Sequence, residues 1–281
     1  MAARSADALF RGVLDYAGMF PPAGLAIAEA AATYARYRGG ADAWMVGAFV
    51  ISADRLEELD PAIGPISVVT SSASPADVER LLRAGGRMRI AAIEFRPVAP
   101  HQITALAAVV PDAVEAYFEV PPDADLDRRL DAVAACGRSA KIRTGGVTPD
   151  AFPSAAGVYR FLRACADRRV GAKATAGLHH ALTGRYPLTY DAASPSAPMY
   201  GFLNVCAAAA LVYSGIPQED VLSVLGESSH AVFRFDEAGM AWRGHCISIR
   251  DLAETRQTLF RSFGTCSLNE PIDDLKRIRA I

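Results

Sequence analysis

Short apolar runs alternate with amphipathic stretches along most of this chain, and that alternation most constrains its fold. The clearest apolar runs lie at 43–52, 66–70, 88–95, 114–120, 140–144 and 171–175. Their lengths suit β-strands. The segments between them have helical spacing. Residues 25–38 place Ala, Ile and Tyr along one face. Residues 75–84 follow Ser74, a candidate N-cap. Residues 123–136 open with Asp123, Asp125 and Asp127, and acidic residues favour a helix N-terminus. A fourth helix is expected over 154–167, after Pro153. Repeated strand–helix units of this kind build a parallel sheet.

Two more strands are expected at 13–17 and 262–267, the second followed by a helix over 271–278. Eight strands in 281 residues fit one α/β domain, a (β/α)8 TIM barrel. Segment 178–261 is too long for a single crossover. It holds an apolar helix near 200–214, another near 217–225, and a hairpin with strands at 232–235 and 240–243. It reads as a long insertion before the last strand that shapes or covers the site. No linker-like sequence brackets it, so a separate domain is not expected.

Composition narrows the function. Hydrophobic residues make up 51% and charged residues 21%, which is globular rather than disordered. The net charge of −2 includes no basic surplus, so neither nucleic acid nor an anionic membrane is an expected partner. The alanine-rich stretch 205–213 is too short to span a bilayer. The five cysteines are widely spaced and form no C-x-x-C pair, against a disulfide framework or a cysteine-rich zinc site. Residues 1–20 lack the apolar core of a signal peptide, so free thiols in the cytoplasm are expected. Oligomeric state is left open.

Strand side chains alternate between faces, so each barrel strand has one face toward the helices and one into the barrel. In four strands the second face is polar. It carries Glu94 and Arg96, then Tyr117 and Glu119, then Lys141 and Arg143, then Lys173 and Thr175. Most of these lie near the C-terminal ends of their strands, where barrel enzymes place their chemistry. Glu115, at a strand start, is expected at the surface. Two lysines within apolar strands are costly unless they pair or act. A lysine nucleophile must be neutral to attack a carbonyl, and nearby positive charge or desolvation favours that form. Arg143 and Lys173 are placed to do this for Lys141. The same cations attract an anionic substrate.

Three motifs follow in order: Lys141-Ile142-Arg143-Thr144-Gly145, Lys173-Ala174-Thr175-Ala176-Gly177 and Phe263-Gly264-Thr265-Cys266-Ser267. Together they resemble the last three strands of deoxyribose-phosphate aldolase, a class I aldolase. The resemblance implies that Lys141 is the Schiff-base lysine and Lys173 the second lysine that perturbs it. Glu94 loosely takes the place of the acidic proton relay. Gly145, Gly177 and Ser267 fall where that family cradles phosphate. There are departures. Arg143 replaces a small residue, Gly146 stands where the family has a phosphate-binding lysine, His179 and His180 have no counterpart, and segment 178–261 is longer. A resemblance confined to the second half supports fold more than substrate.

Further candidates for substrate binding are Asp15, at the start of a rigid Gly/Pro-rich loop over 15–22, and Asn204, inside an apolar helix. A cap role for either is equally open. Glu270 reads as a helix N-terminal acid. Two function classes stay open. The first is an aldolase-like lyase with Lys141, Lys173, Glu94 and Glu119 as catalytic groups and no cofactor. The second is a metal-assisted isomerase or hydrolase using His179, His180, Glu94 and Glu119. No H-x-x-x-H or H-E-x-x-H spacing supports a metal, and none is expected. A non-catalytic barrel that binds an anionic ligand is a lesser third.

Overall fold

A computed structural model describes residues 3–281. Helix α1 (Arg4–Phe10) precedes strand β1 (Leu14–Tyr16), helix α2 (Ile27–Arg38) and strands β2 (Val46–Ser52) and β3 (Ile66–Thr70). There follow α3 (Pro75–Ala84), β4 (Ile90–Phe95), α4 (Pro100–Val109), β5 (Glu115–Glu119), α5 (Leu126–Ala135), β6 (Ser139–Arg143), α6 (Ala155–Arg168) and β7 (Ala172–Thr175). Next come a hairpin of β8 (Gly184–Pro187) and β9 (Ser196–Met199), then helices α7 (Phe202–Tyr213) and α8 (Gln218–Leu225). A three-stranded antiparallel sheet follows, made of β10 (Phe233–Phe235), β11 (Gly239–Trp242) and β12 (His245–Ser248). Helix α9 (Ile249–Thr258), strand β13 (Phe260–Thr265) and helix α10 (Asn269–Arg277) complete the chain.

Eight strands close into a parallel barrel in the order β1-β13-β7-β6-β5-β4-β3-β2. This is the expected (β/α)8 architecture, and all eight strands lie within a few residues of their expected positions. The outward strand residues, among them Ile93, Phe95, Ala116, Phe118, Ala140 and Ile142, are buried against the helices. Each such Ile or Phe side chain contributes about 1.5–3 kcal/mol when fully buried. No helix joins β2 to β3; a 3-10 segment at Ala53–Glu58 replaces it. Ser74 occupies the N-cap position of α3 as expected, yet its hydroxyl makes no capping bond. Instead Ser72 accepts from the Ser74 amide and donates to Asp77. Ser154 does cap α6, accepting from the Gly157 amide.

The long segment before β13 is divided between the two ends and the side of the barrel. Helix α7 is buried from Phe202 to Val212 and packs on β13 between α6 and α9, in the helical ring. A helix apolar on all sides requires such a place. The β8–β9 hairpin stands at the C-terminal mouth. The β10–β12 sheet does not, although a hairpin there was expected near the site. It packs on α1 and α9 at the N-terminal end, where the Phe10 ring lies 5.6 Å from that of Phe235. Helix α1 gave no sequence signal beyond its buried Ala6, Leu9 and Phe10. Among the described residues no helix is long and apolar enough to cross a membrane.

Candidate active site

Neighbouring parallel strands hold residues of equal register on the same face. Glu119 of β5 pairs with Lys141 of β6, and Lys141 pairs with Lys173 of β7. The next pairing, Lys173 with Ser262 of β13, needs a register shift between Phe260 and Ser262. Phe260 is level with outward-facing Ala172, so strict alternation would turn Ser262 outward as well. The irregularity turns it inward.

Both lysines are buried, Lys141 at 3% and Lys173 at 1% exposure. Glu94 of β4 joins them. Its Oε2 lies 3.2 Å from Lys141 Nζ and its Oε1 lies 2.6 Å from Lys173 Nζ. Ser67 also donates to Oε1 at 2.7 Å. Lys141 has a second carboxylate, Glu119, at 3.5 Å. Lys173 has Asp15 at 2.6 Å, and the Tyr117 ring beneath it at 5.5 Å. Asp15 in turn accepts from the Ala48 amide at 2.7 Å and the Ser262 hydroxyl at 2.6 Å. Gly47 permits this, since a Cβ there would collide with Asp15 Oδ1.

The electrostatics follow from the pairing. Burial disfavours the Lys173 ammonium, but Asp15 and Glu94 outweigh burial and hold its pKa above the ordinary lysine value. Burial alone would raise Glu94. Lys173 and Lys141 reverse that and hold it down at about 2. Lys173 and Glu94 therefore rest as an ion pair. Lys173 is gripped by two short bonds, and Lys141 is held by two longer contacts.

Above this cluster lies a cavity of about 300 Å³ at the C-terminal mouth. Glu94, Lys141 and Lys173 line its depth, and Ala17, Phe20 and Pro22 of the loop after β1 line one wall. That loop is at the barrel mouth, as its Gly/Pro content suggested. Arg96 and Arg143 are exposed at the rim, and among the described residues neither meets a carboxylate; Arg143 reaches the Gly145 carbonyl at 3.5 Å. Thr175, Gly177, His179 and Cys266 also line the cavity.

Other sequence candidates lie elsewhere. Asp15 does not line the cavity and serves to hold Lys173. The Thr144 hydroxyl donates to the Ala176 carbonyl at 2.8 Å, tying β6 to β7. Gly145 and Gly177 pack backbone to backbone; a Cβ on Gly177, whose φ is +74°, would stand 2.8 Å from the Gly145 Cα. The Ser267 hydroxyl accepts from the Glu270 amide at 3.3 Å, and neither Ser267 nor Gly145 reaches the cavity. Of the three residues of the expected anion corner, Gly177 lines the cavity while Gly145 and Ser267 do not.

Asn204 is fully buried outside the cavity. Its Oδ1 accepts from the Thr183 amide, and its Nδ2 donates to the Val224 and Glu227 carbonyls. It therefore staples α7 to the end of α8. His179 and His180 diverge, as adjacent residues do. His180 stacks on Tyr186 and meets Asp274 at 3.2 Å. His179 turns to Cys266 and Glu270. The four donors of the metal-assisted alternative do not converge, since Glu94 and Glu119 face the lysines and His180 faces Asp274. Among the described residues no group of three or more His, Cys, Asp or Glu is arranged to hold a metal. Sequence reasoning missed Ser67, Ser262, Tyr190 and Cys266; only the inward alternation of Ser67 with Val69 signalled any of them.

Fold and site together define a (β/α)8 barrel with a buried lysine–carboxylate network beneath a cation-rimmed cavity. Compared with known proteins, the chain matches no family model and no curated sequence.

Proposed function

We propose that this protein is a lyase of the class I aldolase kind, in which Lys141 forms a Schiff base with a small carbonyl compound bearing an anionic group. One observation carries the reading. A single carboxylate, Glu94, bridges Lys141 and Lys173 at the base of a cavity at the strand C-terminal ends. Lys141 is the nucleophile because its contacts, at 3.2 and 3.5 Å, are looser than those of Lys173. Its proton passes to Glu119, since Lys173 keeps Glu94 ionised, and the free amine attacks the carbonyl carbon. The carbinolamine then loses water, with the proton returned from the Glu119 carboxyl group. The iminium that forms is a cation in the place of the original ammonium, so the carboxylates that hold one also stabilise the other. Lys173 stays charged and keeps Glu94 oriented.

The anionic group of the substrate belongs at Arg96 and Arg143, which have no carboxylate to neutralise them, rather than beside Ser267. The resemblance of the lysine strands to deoxyribose-phosphate aldolase supports the same chemistry. We place the protein in the cytoplasm, since all five cysteines are free. Borohydride reduction with a panel of small aldehydes and ketones, followed by peptide mapping, tests the imine. A reduced adduct on Lys141, lost in Lys141→Arg, is expected. No adduct across the panel, with anions still bound, favours a second reading suggested by the ion pairs: both lysines stay charged and serve only to bind an anion.

A further inference from the structure

A second cluster of reactive side chains reaches the same cavity through two of its members, Cys266 and His179, and the lysine chemistry does not use it. Cys266 follows β13, His179 follows β7, Tyr190 lies in the β8–β9 hairpin loop, and Glu270 opens α10. The Cys266 Sγ lies 3.6 Å from His179 Nδ1 and 3.6 Å from the Tyr190 hydroxyl. Glu270 Oε2 completes the group, 3.4 Å from His179 Nδ1 and 3.0 Å from the Tyr190 hydroxyl. Cys165 and Cys206, by contrast, are buried among apolar side chains, where burial pushes both thiols up. Cys266 and His179 both reach the cavity surface, only one strand from Lys173.

Glu270 and Cys266 both meet His179 at the same ring nitrogen, Nδ1, which places the imidazole within reach of the sulfur for proton transfer. Burial works against a charged His179, but Cys266 and Glu270 outweigh it and bring its pKa up to about 9, so the ring is imidazolium at neutral pH. The ring is thereby a proton donor for whatever oxygen develops negative charge beside it.

We propose that Cys266 and His179 form a second reactive centre in the cavity, where the thiol adds reversibly to the carbonyl of a small aldehyde and the imidazole carries the proton. The sulfur forms a bond to the carbonyl carbon, and the C–O π pair moves onto oxygen. That oxygen takes the proton from His179, which recovers it from the thiol. The product is a hemithioacetal, with no leaving group and no oxidant or reductant. The choice of a carbonyl ligand rests on the reading of Lys141; the reactivity of the thiol does not.

The test uses the full chain, iodoacetamide near neutral pH, and mass spectrometry of the Cys266 and Cys246 peptides. Cys246 is exposed at the other end of the barrel and serves as the internal reference. Although 5% exposed, Cys266 is expected to alkylate about tenfold faster than Cys246 or more. His179→Gln is expected to remove that advantage and leave Cys246 unchanged; Glu270→Gln, a second variant, is expected to reduce it. Glycolaldehyde is expected to slow Cys266 labelling both in the unaltered protein and in Lys141→Arg, which cannot form an imine. Labelling of Cys266 no faster than Cys246, or unchanged by His179→Gln in a folded protein, overturns the proposal. Glycolaldehyde protection that vanishes in Lys141→Arg overturns the hemithioacetal and assigns the aldehyde to the lysine. Protection that persists there, with no borohydride adduct in the unaltered protein, upholds the thiol site and removes the lysine reading.

Discussion

Lys173 lies 2.6 Å from Asp15 although 158 positions separate them in the chain. They sit two strands apart, on either side of β13, so the contact exists only because β13 closes the barrel between β7 and β1. The first and seventh strands are thereby locked through a buried charge, and the site inherits the rigidity of that closure. Lys173 is better placed to orient Glu94 than to react.

Removing that charge leaves two carboxylates buried without their shared partner. Lys173→Met is expected to destabilise the fold by roughly 3–5 kcal/mol, the usual cost of breaking a buried pair from one side. Urea unfolding monitored by circular dichroism measures it. A loss below about 1 kcal/mol would mean that the carboxylates readily protonate or hydrate, and that the network is not rigid.

Stability should fall at both ends of the pH scale for separate reasons. The His179 pKa is raised in the fold from 6.5 to about 9. Its contribution is therefore complete below 6.5 and lost as pH rises through about 9. Glu94 is depressed from 4.5 to about 2, so its contribution is present above 4.5 and lost as pH falls toward 2. Thermal melts across pH report both. His179→Gln is expected to flatten the alkaline decline and leave the acid side as it was. An unchanged alkaline limb in that variant would show that His179 is not the group responsible.

Arg96 and Arg143 are exposed and meet no carboxylate, and Arg143 makes only a long contact to the Gly145 carbonyl, so their loss should cost little in folding. Arg96→Gln and Arg143→Gln are each expected to change stability by within about 0.5 kcal/mol. The rise in Tm produced by sulfate or phosphate should nevertheless shrink in each and vanish in the double variant. A full anion response in the double variant would locate the anion site elsewhere.

Asn204→Ala offers the opposite pattern. The side chain accepts one bond and donates two in a fully buried position, and each partner left dry costs about 1–3 kcal/mol. A clear loss of stability is expected, with borohydride labelling of Lys141 unaltered in the fraction that stays folded. Loss of labelling in folded protein would restore Asn204 to the site.

What the sequence by itself determined is local and periodic. Short apolar runs marked the eight strands, and alternation with a period of two in four of them put Glu94, Glu119, Lys141 and Lys173 on the inward face, because side-chain direction along a strand needs no knowledge of its neighbours. The sequence likewise marked an apolar helix near 200–214 but not its place in the helical ring. What only the tertiary structure decided is which inward groups meet. Distances across a closed barrel depend on strand order, on register and on irregularities such as that between Phe260 and Ser262, and none of these is written in any one strand. Closure therefore turned Asp15 from a mouth residue into the partner of Lys173. Packing set Gly177 against the cavity and left Gly145 and Ser267 outside it. It also gathered Cys266, His179, Tyr190 and Glu270 from separate segments into one cluster, since side chains far apart in sequence become neighbours only when the core beneath them is packed.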